Sequence, residues 1–238
     1  MSRDFDGVDD IINYASPTIL DNLSPLSIVA WIYPETIGEN NLGIICTKAP
    51  DVSTTNGWTF RTDNINTTNC LTFLCDFLGV GNVNLFKIST TNSIVLNRWS
   101  RVAVTWDGSS TAANCKLYIN GVEPAYHLSQ NGQTNRGDDS GNSFCVGNEP
   151  TTTARTFNGP LAHIQIFNAL LSNPEVNQAH FYPGSIQRGL VWYGGDSLAF
   201  DYSGKGNNGT ITGAVVSKNN PPINGVFTKP RPELINVF

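Results

Sequence analysis

The chain has 238 residues, a formal net charge of -5 and only 14% charged residues, against about 25% in ordinary soluble domains. That balance excludes sequence-independent binding to phosphate backbones and supplies no electrostatic drive toward membrane surfaces. The length suits a single all-β unit, and the longest apolar run, residues 26–33, is far too short to cross a bilayer as a helix.

The chain opens on Asp4-Phe5-Asp6-Gly7-Val8-Asp9-Asp10, an extended run broken by a glycine turn between carboxylates. Period-two alternation then predicts strands at 27–33, 57–61, 71–75, 85–88 and 101–105. Asp107-Gly108 and Asn120-Gly121 supply turn residues that tolerate positive φ, and Pro34, Pro124 and Pro150 punctuate strand ends. A further strand is expected at 161–167. Residues 172–180 read as the one helix, with Ser172 or Asn173 as cap, Pro174 in the first turn and Glu175 near the positive end of the dipole. Many short strands separated by glycine-rich turns predict an all-β sandwich. From residue 218 onward Pro221, Pro222, Pro230 and Pro232 forbid both a helix and a central strand. The expected organisation is therefore a domain over 1–217 and an extended arm over 218–238. Phe227, Leu234 and Phe238 would be the arm's apolar anchors on a neighbouring subunit or another assembly partner.

Cys46, Cys70, Cys75, Cys115 and Cys145 stand singly on or beside predicted strands. Their odd number favours buried free thiols over a Cys70–Cys75 disulfide, and no second cysteine pair at zinc-site spacing accompanies Cys70 and Cys75.

Three motifs carry a family resemblance: the opening stretch at Asp4, the run Trp99-Ser100-Arg101-Val102-Ala103-Val104-Thr105-Trp106-Asp107-Gly108 with Lys116-Leu117-Tyr118-Ile119-Asn120-Gly121-Val122, and Phe157-Asn158-Gly159-Pro160-Leu161-Ala162-His163-Ile164-Gln165-Ile166-Phe167-Asn168. Together they resemble laminin G-like domains, which implies a concanavalin A-like jelly-roll β-sandwich. Residues 189–193 and 201–210 look like the segment that precedes the Phe-Asp-Gly strand in that family, yet here they come last. The resemblance therefore implies a circular permutation, with residues 189–217 pairing in space with the strand that starts at Asp4. It also implies a structural calcium site, of which Asp201 and Asn208 keep the first part. Ala162-His163 stands where the family has an acidic pair, so hard oxygen ligands are missing there.

Paired carboxylates facing across a cleft, as glycan hydrolysis needs, are not legible. Glu35, Glu39, Glu123, Glu149, Glu175 and Glu233 fall in turns, the helix or the tail, and Asp9-Asp10 and Asp138-Asp139 would point to opposite faces if extended. His127, His163 and His180 are isolated, there is no Gly-x-Ser-x-Gly elbow, and Ser203-Gly204-Lys205-Gly206 lacks the spacing of a phosphate loop. The candidate sugar contacts are Trp58, with core packing as its rival role, together with Tyr126, Asn131, Gln133, Arg136 and Asp138 in or beside the long loop at 130–143.

The resulting expectation is a non-enzymatic virion protein, a capsid or fibre decoration of a tailed bacteriophage with glycan-binding capacity and no cofactor apart from calcium. The resemblance carries the phage context, because stand-alone laminin G-like domains occur in such virions. The expected partners are other virion proteins, copies of itself and cell-surface glycans, with no nucleic acid and no membrane insertion. Assembly in the host cytoplasm is expected because no export signal or transmembrane segment is legible. A cellular carbohydrate-binding or adhesion module is the alternative, and a polysaccharide-cleaving enzyme stands third.

Overall fold

The computed structural model of the protein describes residues 1–51, 56–65, 67–78, 83–133, 135–152, 154–195 and 197–223. The expected arm anchors Phe227, Leu234 and Phe238 lie outside these residues. In chain order the first strands are β1 (Ser2–Asp6), β2 (Ile11–Asn13), β3 (Leu26–Ile32), β4 (Leu42–Thr47), β5 (Trp58–Asp63) and β6 (Cys70–Cys75). There follow β7 (Phe77–Leu78), β8 (Leu85–Ser89), β9 (Ser100–Trp106), β10 (Cys115–Ile119), β11 (Tyr126–Gln130), β12 (Asn135–Arg136) and β13 (Cys145–Val146). The chain continues through β14 (Asn158–Phe167), helix α1 (Asn173–Phe181), β15 (Leu190–Tyr193), β16 (Thr210–Thr212) and β17 (Val215–Ser217).

Two antiparallel sheets form the sandwich. One runs β10-β9-β3-β14-β1-β17, with β15 also paired to β14, and the other runs β11-β8-β6-β5-β4-β13-β2-β16. Their inner faces meet over Phe5, Trp58, Phe60, Phe73, Trp106 and Trp192 from the strands, with Phe144 and Phe157 from the residues just before β13 and β14. Strand β3 departs from alternation because both of its faces are covered. Its outer face packs under α1, where Val29, Ala103, Phe167, Leu171, Val176 and Ala179 form a second apolar cluster.

The helix forms where its signals predict. Ser172 and Glu175 make a reciprocal capping box with Pro174 in the first turn, and Arg188 pairs with Glu175 at 2.8 Å. The expected pairing of 189–217 with the first strand holds for its last part, where β17 pairs with β1 through Ser2↔Ser217 and Asp4↔Val215, whereas β16 pairs with β2 and β15 with β14. Strand β14 is longer than the expected 161–167 because Gly159 and Pro160 pair with Phe5 and Asp4 of β1. All five cysteines are buried and free. Cys70 and Cys75 end opposite termini of β6, with roughly 16 Å of extended strand between them, beyond disulfide reach. Burial pushes the Cys75 thiol up to about 12, so it is an inert packing group.

Asn120 and Gly121 close the β10 turn with φ of 52° and 85°, and a side chain at 121 would place its Cβ 2.4 Å from Asn177 Oδ1. Gly121→Val should therefore destabilise the protein by about 1–3 kcal/mol, read as a lower denaturant midpoint. Histidine 180 gives a pH signature. It is fully buried beneath β3, its Nε2 lies 3.0 Å from Val102 O, and burial lowers its pKa from 6.5 to about 4. The unfolded chain takes up this proton first as pH falls, so stability should drop between pH 6.5 and 4. Replacing His180 with Gln should flatten that part of the pH–stability curve.

Candidate functional site

The polar groove of interest lies at one rim, where the chain passes from one sheet to the other. Strand β1 ends at Asp6, Gly7 takes a φ of 76°, and β2 starts in the opposite sheet at Ile11. Asp6 Oδ1 accepts the Val8 N–H at 2.8 Å, and Asp10 Oδ2 accepts the Asp6 N–H at 2.8 Å, so the turn is fastened by its own carboxylates. Asp6, Asp9 and Asp10 each bring one oxygen to within 4.8 Å of the others. Asp4, Glu35, Asn158, Gly213 and Val215 complete a groove of about 500 Å³.

The reading of Asp9-Asp10 as an extended pair on opposite faces is thus corrected: a glycine turn, not a strand, carries these residues and points several carboxylates to one place. Desolvation, then Glu35 and Asp10, raises the pKa of Asp4 above the usual carboxylate value, and desolvation does the same to Asp10 with Asp6 and Asp9 adding to it. A groove of this charge disfavours anionic ligands and offers many acceptors to hydroxyl groups. The three clustered carboxylates belong to a single turn, so they reach a ligand from one side, whereas a hydrolytic dyad flanks the scissile bond.

The sugar contacts expected from sequence do not converge. Trp58 is fully buried, with its ring 6.2 Å from that of Phe144, so the core role holds. Tyr126 donates its hydroxyl to Glu123 at 2.8 Å and lies under Lys87 Nζ, 3.8 Å from the ring centroid. Asn131 accepts the Ala112 N–H, and the Gln133 N–H donates to Val83 O. Arg136 turns inward, ion-paired to Asp139, bonded to Leu23 O at 2.6 Å and 5.3 Å from the Trp106 ring centroid. Asp138 is exposed and accepts Asn22 Nδ2 at 2.8 Å and the Ser140 N–H at 2.9 Å. The long loop is thereby fastened to the sandwich.

The concanavalin A-like lectin/glucanases model, of laminin G type, matches residues 6–177, which includes every strand from β2 to β14. The chain belongs to that superfamily. Among solved structures, a candidate carbohydrate binding protein from Bacteroides ovatus superposes with a TM-score of 0.63 at 18% identity. The match covers 94% of this chain but only 61% of the Bacteroides protein. The heptameric SAP-like pentraxin of Limulus polyphemus superposes with a TM-score of 0.52 at 15% identity, over 79% of this chain and 84% of the pentraxin. These likenesses concern the fold. No curated protein matches by sequence.

The superfamily resemblance implied calcium near Asp201 and Asn208, and the donors there do not fit that ion. Asp201 Oδ1 accepts N–H groups of Tyr193 and Ser203, and Oδ2 accepts the N–H and Nδ2 of Asn207. Asn208 Oδ1 accepts the Asp201 N–H at 3.0 Å. His163, where the superfamily has a carboxylate, sits at φ 50° in a bulge of β14 with Nδ1 3.0 Å from the Tyr193 hydroxyl. The loop amides thus occupy the oxygens that a cation would need. Asp201→Ala should cost about 1–2 kcal/mol through these lost acceptors, with the same loss in calcium and in chelator when melts are compared.

Proposed function

We propose that this domain is a non-enzymatic glycan-binding module that takes neutral saccharides in the rim groove at Asp4, Asp6, Asp9, Asp10, Glu35 and Asn158. The observation that carries the reading is the convergence of carboxylates and an amide on one groove in a member of a lectin and glucanase superfamily. Carboxylate and amide oxygens accept hydrogen bonds from adjacent sugar hydroxyls, and the acidic field selects against uronates and sialic acids. The candidate carbohydrate binding protein of Bacteroides ovatus supports this assignment by its shared fold.

The setting we infer is the surface of a tailed-bacteriophage virion, with residues 218–238 as an assembly arm. Five buried free thiols suit folding in a reducing cytoplasm, and the weakly charged exterior suits a particle component. The start of the arm is pinned to the sandwich, since Asn219 accepts hydrogen bonds from Ser2 Oγ and from Trp99 Nε1, the latter at 2.9 Å. Assembly contacts would therefore come from Phe227, Leu234 and Phe238 beyond it.

A glycan array with intact protein should give binding to neutral glycans, weakened at least tenfold by Asp4→Asn with Asp10→Asn. Release of shortened glycan during the incubation would replace this reading with a hydrolase. For the arm, replacing Phe227, Leu234 and Phe238 together by Ala should leave the melting temperature unchanged and abolish incorporation into particles or oligomers. Unaltered incorporation would remove the arm from assembly.

A further inference from the structure

Of the five tryptophans, Trp31, Trp58, Trp106 and Trp192 are buried, whereas Trp99 is partly exposed. Its ring lies beside that of the partly exposed Tyr33, with centroids 5.6 Å apart and planes at 60°, and meets Trp31 edge-on at 6.3 Å. The indole is held in place, because its Nε1 donates to Asn219 Oδ1 at 2.9 Å. Both rings stand on the outer face of their sheet. The core takes Ile28, Ala30 and Ile32 from β3 and Val102, Val104 and Trp106 from β9, so alternation sends Trp31 and Tyr33, and Arg101 and Trp99, to the other side.

Strand pairing brings this aromatic pair to the edge of the acidic groove. The N–H groups of Tyr33 and Glu35 donate to Pro160 O at 2.8 Å and to Asn158 O at 2.9 Å, so residues 33–35 continue β3 beside the start of β14. Pro160 in turn pairs with Asp4 of β1, and the inward Leu161 and Phe5 leave Pro160 and Asp4 on the same outer face as Tyr33. Tyr33 and Asp4 therefore flank Pro160 on three neighbouring strands, about 10 Å apart. Glu35, which lines the groove with Asp4, lies two positions beyond Tyr33.

We propose that Tyr33 and Trp99 form a stacking subsite that continues the acidic groove, so that the ligand is a neutral oligosaccharide lying across β1, β14 and β3 rather than a single terminal sugar. The subsite rests on the reading of the groove as a saccharide site, and adds to it the length of the ligand and the residues that hold its second part. A pyranose ring carries hydroxyls at its edge and C–H groups on its faces. Carboxylates serve the first and aromatic faces the second. One sugar in the groove reaches the carboxylates alone, whereas a chain reaches the rings as well.

The test is titration of the full chain with glucose, mannose and galactose and with neutral oligosaccharides built from each, read by calorimetry and by acrylamide quenching of tryptophan fluorescence. An oligosaccharide of the panel should bind more tightly than its monosaccharide and should shield Trp99 from acrylamide, a protection absent in Trp99→Phe. Tyr33→Leu should bind that oligosaccharide about tenfold more weakly, while Tyr33→Phe keeps the affinity because the ring makes the contact. Wild-type affinity in Tyr33→Leu, or a bound oligosaccharide that leaves Trp99 open to acrylamide, overturns the subsite. If Asp4→Asn with Asp10→Asn abolishes binding and Tyr33→Leu does not alter it, the groove stands and the subsite alone falls. A panel in which nothing binds overturns both. Should Tyr33→Leu fail to fold, the protection of Trp99 in the wild type decides.

Discussion

Tyr14 clamps the two ends of the chain between the sheets. Its ring stacks on Phe144 with centroids 5.0 Å apart and meets Trp192 edge-on at 5.0 Å, while its hydroxyl bonds to the Leu198 carbonyl. The three rings come from the exit of β2, the approach to β13 and the late strand β15. Burying them closes the core at the place where first and last strands must pair, and the polar tip is satisfied inside it. Strand β1 can then lie between β14 and β17, and β2 between β13 and β16, so neither N-terminal strand forms an edge.

The acidic rim follows from that closure. Because β1 and β2 belong to different sheets, the residues between them cross the end of the sandwich in a tight turn. Gly7 makes the turn possible, since a Cβ there would also strike Asn158 Nδ2 at 2.6 Å. Neighbouring carboxylates that a strand would send to opposite faces are gathered on one side, where burial first and then the neighbouring charges raise the pKa of Asp4 and Asp10. Charge repulsion of this kind is tolerated at a ligand groove more readily than in a structural turn.

The interior polar groups divide into two kinds. Lys48 is fully buried and pairs with Asp21 at 2.8 Å, donating also to the Asp139 and Asn142 carbonyls, and Arg136 joins the same group through Asp139. This network holds the described part of the loop at 130–143 down on the sandwich. Asp76 is buried with neither carboxylate oxygen hydrogen-bonded, and burial pushes its carboxyl up to about 7.

The sequence by itself determined the architecture. Alternation placed β3, β5, β6, β8 and β9, Asn120-Gly121 marked its turn, Ser172, Pro174 and Glu175 marked α1, and the displaced late segment was legible as a neighbour of the first strand, which its residues 215–217 pair with. These features rest on local chemistry, on dihedral preference, capping and side-chain period, which neighbouring residues fix among themselves. Only the tertiary structure decided the site. Arg136 and Asp138 could not be known as tethers without Asp139 and Asn22, and the groove needed Glu35 and Asn158 brought beside Asp4. Nor could Asp76 be seen as unserved until its surroundings were folded around it. Desolvation and long-range pairing, unlike strand period, exist only once the chain has closed on itself.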